Sequence, residues 1–146
     1  MISSSVNDTS TFAHKFLETL NPGDVVALVG DLGSGKTTFV QGVAHALGIE
    51  EPVTSPTFVL WRQYEAQHER FSFLHHFDLY RLESEKEVFD LGLQELFSQP
   101  DGLVIVEWAD KFERLFPQET VWLTFKYIDD ETREIKIENA ERRIQN

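Results

Sequence analysis

Eight consecutive residues, Gly30-Asp31-Leu32-Gly33-Ser34-Gly35-Lys36-Thr37, leave this chain little freedom in what it becomes. They fit the pattern G-x-x-x-x-G-K-[ST] at every fixed position. The glycines let the backbone curl until several N–H groups face one anion. Lys36 can reach β- and γ-phosphates, and the Thr37 hydroxyl can hold a magnesium ion. A helix is expected to start near Gly35–Lys36, its positive dipole end towards the phosphates. Asp31, Leu32, Gly33, Ser34, Gly35 and Thr38 belong to the same cradle.

The flanks supply the context such a loop needs. Asp24 to Val29 is a short apolar, β-branched run, as a buried parallel strand would be. Phe39, Val40, Val43, Ala44 and Leu47 recur at helical spacing, and Gly48 marks a stop. Upstream, Asp8 or Ser10 can cap a first helix reaching about Leu20, and Asn21-Pro22-Gly23 turns the chain into the strand.

Downstream, Glu50 to Thr57 is polar with two prolines, where phosphate-loop proteins often place a mobile loop near the γ-phosphate. Ser55 and Thr57 carry hydroxyls able to sense phosphate or metal; an ordinary turn feeding a strand from Thr57 to Tyr64 fits equally well. Phe71 to Phe77 reads as a strand that leads into His76-Phe77-Asp78-Leu79-Tyr80-Arg81. Alternation sends His76, Asp78 and Tyr80 to one side. An acid at the carboxyl end of an apolar strand lies where open α/β sheets bind ligands. Asp78 is thus a candidate partner for magnesium or water, or else a helix cap or a salt-bridge partner of Arg81. His75 and His76 face opposite ways and do not chelate together.

Ser84 with Glu87 forms a capping-box pattern before a helix to about Ser98, which Gly92 bends or splits. Leu103-Val104-Ile105-Val106-Glu107 is four apolar residues and an acid. This Walker-B-like strand makes Glu107 the natural partner of Thr37 in holding magnesium. Trp108 then packs on a nucleotide or fills the core. Ala109 to Phe116 is a short helix. Thr120 to Tyr127 and Arg133 to Glu138 form a terminal antiparallel hairpin, and Glu141 to Asn146 frays. The expected fold is a three-layer α/β phosphate-loop NTPase domain over residues 1–146, its sheet mainly parallel with the hairpin antiparallel.

Composition removes several classes. Without cysteine there is no disulfide framework and no thiolate metal site. No apolar run approaches a membrane span and Met1 to Asp8 is no signal peptide, so a soluble cytoplasmic protein is expected. Thirteen Lys and Arg face twenty-five Asp and Glu, a net charge of −12 that disfavours extensive contact with nucleic acid and points to protein partners. Neither Asn-Lys-x-Asp nor Asp-x-x-Gly occurs, which disfavours a Ras-type GTPase. Absence of Leu-Ser-Gly-Gly argues against a transporter ATPase. A small-molecule kinase or a non-hydrolysing nucleotide sensor remains an alternative.

Four elements in order, Gly30 to Thr38, Thr54-Ser55-Pro56-Thr57-Phe58, His76 to Leu82, and Val106-Glu107-Trp108, together resemble the bacterial TsaE (YjeE) family across about residues 8–138. The resemblance implies a magnesium-dependent ATPase, slow alone, that binds ATP and ADP. It further implies support of TsaD and TsaB as they move a threonylcarbamoyl group onto the adenosine beside the tRNA anticodon, with little direct tRNA contact. By position it makes Lys36 and Thr37 phosphate and magnesium residues and Glu107 the second magnesium residue. Thr57 falls in a switch-like loop, Asp78 is the acid beside the metal, and Trp108 is the site tryptophan. Asp8, Thr132 and Arg133 match segments flanking the base. Lys36, Asp78, Glu107 and Thr57 are the candidates for catalysis. Ser34, where alanine is frequent, and Ala109-Asp110-Lys111-Phe112 depart from the family pattern.

Overall fold

A computed structural model of the protein describes residues 1–54 and 60–139. Ser55, Thr57, the start of the strand expected from Thr57 and the tail from Glu141 lie outside the described residues.

Seven strands form one sheet: β1 (Ile2–Ser3), β2 (Val25–Val29), β3 (Trp61–Glu65), β4 (Phe73–Asp78), β5 (Gly102–Glu107), β6 (Val121–Tyr127) and β7 (Arg133–Asn139). Their order is β1-β7-β6-β2-β5-β4-β3. The four middle strands run parallel, with β2 between β6 and β5, and β5 beside β4. Antiparallel pairs close both sides, β3 on β4 and the β6–β7 hairpin with β1 beyond it. The expected parallel core and antiparallel hairpin are therefore both present. A hairpin also forms the other edge, β3 and β4 being joined through Ala66 to Ser72.

Helices cover both faces. Against one, α1 (Val6–Glu18) and α2 (Lys36–Ala46) bury Phe16, Leu17, Phe39 and Val43 on Val26, Leu28, Ile105 and Leu123. Phe39 lies 5.7 Å from the Phe16 ring and 5.6 Å from that of Phe125, tying α1, α2 and β6 together through aromatic packing. On the other face Ala27, Phe77, Val104 and Val106 meet Val88 of α3 (Glu85–Leu91), Leu93 of α4 (Leu93–Leu96) and Phe112. Strict alternation along β2 and β5 is what feeds two cores from one sheet. β5 is buried along its whole length, as its apolar run requires.

Several boundaries differ from the sequence reading. The first helix is capped by Ser5, not by Asp8 or Ser10, and ends at Glu18. The Ser5 hydroxyl accepts from the Asp8 N–H at 3.0 Å while the Asp8 carboxylate accepts from the Ser4 N–H at 2.9 Å. That reciprocal box satisfies two donors, which a cap further along the chain would leave exposed. The helix after Ser84 is split, because Gly92 takes φ +84° and ends α3. The short helix expected over Ala109 to Phe116 is a 3-10 helix, Ala109–Leu115, interrupted by non-helical backbone at Phe112. The two-residue strand β1 was not foreseen; two residues carry no alternation to detect.

Candidate functional site

The glycine loop joins the carboxyl end of β2 to the first turn of α2, whose N–H groups have no acceptor within the helix. Two glycines set its path. A Cβ on Gly30 would stand 2.6 Å from the Phe125 carbonyl oxygen and 2.7 Å from the Ser34 hydroxyl, so no side chain fits between loop and β6. Gly35, the residue before α2, holds φ +105°. Ser34 is buried, and its hydroxyl has no hydrogen-bond partner among the described residues.

Lys36 is 5% exposed. Its ammonium donates to the carbonyl oxygens of Gly30 and Asp31 and stands 3.8 Å from the centroid of the Trp108 ring. Burial draws its pKa below the ordinary lysine value, and the carboxylates of Glu107, Asp78, Asp110 and Asp31 pull it part of the way back.

Strand register assembles the acids. Glu107 pairs with Leu28 of β2 on one side and with Asp78 of β4 on the other, so both carboxylates sit on the rung where the sheet meets the loop. Both are buried. The Asp78 carboxylate accepts the Tyr80 N–H at 2.9 Å. Burial still lifts its pKa above the usual carboxylate value; the Tyr80 N–H opposes that shift and the nearby Glu107 charge adds to it. Glu107 accepts a 2.6 Å hydrogen bond from His76. Trp108 takes a left-handed backbone at φ +59°, a conformation that costs a bulky residue about 1–3 kcal/mol. It turns the indole away from the strand and onto Tyr80, 4.8 Å between ring centroids.

These groups face one cavity of about 790 Å³. Asp31, Leu32, Gly33, Ser34, Gly35, Lys36, Thr37, Thr38, Asp78, Glu107, Trp108 and Arg133 of the sequence-derived candidates line it. So do Ser5, Val6 and Thr9 from the start of α1, and Arg81. Arg133 donates to the Gly33 carbonyl at 3.1 Å and lies 4.6 Å from the Tyr127 ring, fastening the hairpin to the loop. Asp8 is not among the lining residues; it sits in the first turn of α1, bonded to Ser4. Thr132 is also off the wall, its carbonyl oxygen accepting from Ile128 and Arg133. Thr57 lies outside the described residues. The sequence reading weighs His76 only as a chelating partner of His75. Its alternation with Asp78 was visible there, but its reach to Glu107 was not.

The donor set suits a magnesium nucleotide. Five carboxylates (Asp31, Asp78, Glu107, Asp130, Glu131) and three cations (Lys36, Arg81, Arg133) line the cavity, a balance that admits a polyphosphate best with a divalent counter-ion. Among the described residues no group of three or more His, Asp or Glu is placed to hold a metal. Magnesium bound by one hydroxyl and one carboxylate, with phosphate oxygens and waters completing its shell, needs no such group.

A glycine loop between a central parallel strand and its helix, with acids on neighbouring strand tips, defines a phosphate-loop α/β protein. Known proteins narrow that class. The sequence model of the family described as Threonylcarbamoyl adenosine biosynthesis protein TsaE matches residues 3–135. The chain belongs to the TsaE family. A Bacillus subtilis (strain 168) protein named tRNA threonylcarbamoyladenosine biosynthesis protein TsaE is 43% identical over 128 residues, 88% of this chain and 77% of that protein. A Treponema pallidum (strain Nichols) protein of the same name is 39% identical, covering 93% and 97%. The crystal structure of Bacillus subtilus YdiB superposes with a TM-score of 0.75 at 33% identity, over 99% of this chain and 87% of that one. No helix among the described residues is long and apolar enough to cross a membrane.

Proposed function

We propose that this chain binds ATP with magnesium in the 790 Å³ cavity and hydrolyses it in support of a TsaD–TsaB complex. In this reading that complex transfers the threonylcarbamoyl group to the adenosine beside the tRNA anticodon. The observation that carries the reading is the pairing of Asp78 with Glu107 on the rung beside the loop that bears Lys36. The loop N–H groups and the Lys36 ammonium hold the phosphates, and Thr37 and Glu107 hold the metal. Bound magnesium would neutralise charge on the β- and γ-oxygens as the terminal phosphoryl group passes to water. Asp78 lines the same cavity, and in this reading it orients that water. Trp108 and the Arg133 hairpin bound the nucleotide's remaining volume. The acidic composition supports contact with partner proteins over contact with tRNA.

The test is magnesium-dependent ATP hydrolysis by the purified chain, alone and with TsaD and TsaB, beside Lys36→Ala and Glu107→Ala. Stimulation by the partners and a loss of about 100-fold or more in both variants are expected. Partners that neither bind nor stimulate would remove the supporting role.

A further inference from the structure

One buried group takes no part in the proposed chemistry. His76 is fully buried, yet its Nε2 lies 2.6 Å from Glu107 Oε2. His76 pairs with Ile105 on β5, two residue pairs below the rung of Asp78 and Glu107 and so on the same face of the sheet, from which it approaches Glu107 diagonally. A carboxylate only accepts, so the proton on this bond belongs to Nε2. His76 Nδ1 is buried and has no hydrogen-bond partner among the described residues. A proton there would be an unsatisfied buried donor, and two acceptors would then face each other across 2.6 Å. Burial and geometry thus select one tautomer, with its single donor aimed at the strand-tip acid.

We propose that His76 is a positioning residue for Glu107: it fixes the carboxylate in the orientation that receives magnesium before the nucleotide arrives. The proposal rests on the reading of the cavity as a magnesium nucleotide site. Glutamate has three side-chain torsions, and a metal ligand free to rotate must be ordered at each binding event. A hydrogen bond to one carboxylate oxygen from the closed side removes that cost. Partners of this kind commonly set metal affinity by about 10–100-fold. Asp78 accepts from the Tyr80 N–H and Glu107 from His76, so the hydrogen bond that a His76 substitution removes is one made to Glu107.

The experiment measures ADP affinity at equilibrium with and without magnesium, together with kcat, for the wild type, His76→Leu, His76→Gln, Glu107→Gln and the double variant His76→Leu/Glu107→Gln. In His76→Leu the gain in ADP affinity on adding magnesium is expected to fall about tenfold or more, with metal-free affinity within about twofold of wild type. His76→Gln, whose amide can donate to the same oxygen, is expected to restore the gain to within about threefold. In the Glu107→Gln background His76→Leu is expected to change nothing further, because its effect runs through the carboxylate. Additive losses in the double variant would overturn the proposal, as would an unchanged magnesium gain in His76→Leu. So would a His76→Gln protein that melts like wild type but is as impaired as His76→Leu. A wild type whose ADP affinity ignores magnesium would overturn the cavity reading itself, and this proposal with it.

Discussion

The Lys36 ammonium lies 3.8 Å from the centroid of the Trp108 ring, held there by the Gly30 and Asp31 carbonyl oxygens. A loop lysine occupied in this way has to leave the indole face to meet phosphate. Removing a cation from above an indole changes its emission. Adding ADP with magnesium is therefore expected to shift Trp fluorescence, and Trp108→Phe is expected to abolish the response. Trp61, stacked on Phe77, and Trp122, packed edge-on against Phe116, lie away from the cavity wall. Trp61→Phe and Trp122→Phe should keep the signal. A response that persists in Trp108→Phe would place the moving cation elsewhere.

Gly30 tests the loop's dependence on its backbone. The position that a Cβ would take is only 2.6 Å from the Phe125 carbonyl oxygen, a backbone atom of β6 that cannot step aside cheaply. Gly30→Ala is expected to destabilise the fold by about 2–3 kcal/mol in urea unfolding and to weaken nucleotide binding more than tenfold. An alanine variant with wild-type stability and affinity would mean that the loop is not held against β6.

The parts of the fold legible in the sequence are those with a local signature. The run Val25–Val29 before the glycine loop, the alternation before Asp78 and the apolar stretch before Glu107 each announced a strand and its end. Because parallel strands of one sheet end together, the two acids could be expected side by side. What stayed hidden depends on pairing between distant segments. His76 and Glu107 are 31 positions apart, and only the register of β4 on β5 brings them together. The Ser5 cap was overlooked because a serine run offers several equivalent caps, and the choice follows from where β1 leaves β7. The left-handed turn at Trp108 has no sequence signal, since bulky residues rarely adopt it.

Burial displaces the pKa values of Asp78 and Lys36 in opposite directions, and the consequence for stability has a definite sign. Burial raises the Asp78 pKa above its ordinary value of 3.8. The folded protein then keeps a proton that the unfolded chain has released. Stability from this group is complete below about pH 4 and is lost as pH rises through the raised value. Lys36 is displaced the other way, from 10.5 downwards. The unfolded chain binds its proton more tightly, so stability rises with pH through the lowered value and the deficit is complete below it. Charge on either buried group is therefore a cost to the fold. Asp78→Asn is expected to melt about 2–4 °C above wild type at pH 7.5 without ligand, a difference that closes towards pH 4. Its hydrolysis should fall. An Asp78→Asn protein less stable than wild type at pH 7.5 would show that the bond from Tyr80 outweighs burial.

Arg133 separates holding the nucleotide from reacting with it. Its guanidinium bridges the hairpin and the loop through the Gly33 carbonyl at 3.1 Å and lies over Tyr127, 4.6 Å from that ring's centroid. It lines the cavity from β7, while Glu107 and Asp78 stand on β5 and β4, across β2 from the hairpin. Arg133→Ala removes a clamp on the loop and a positive charge from a wall on which acids outnumber cations. ATP affinity is expected to fall about 5–20-fold while kcat at saturation changes by less than about threefold. Arg133→Lys keeps the charge but loses the planar fork, and is expected to recover only part of the affinity. Steady-state kinetics over a range of ATP concentrations decides the matter. A fall in kcat as large as the rise in KM would move Arg133 from binding to the transition state, where it would serve as the activating arginine.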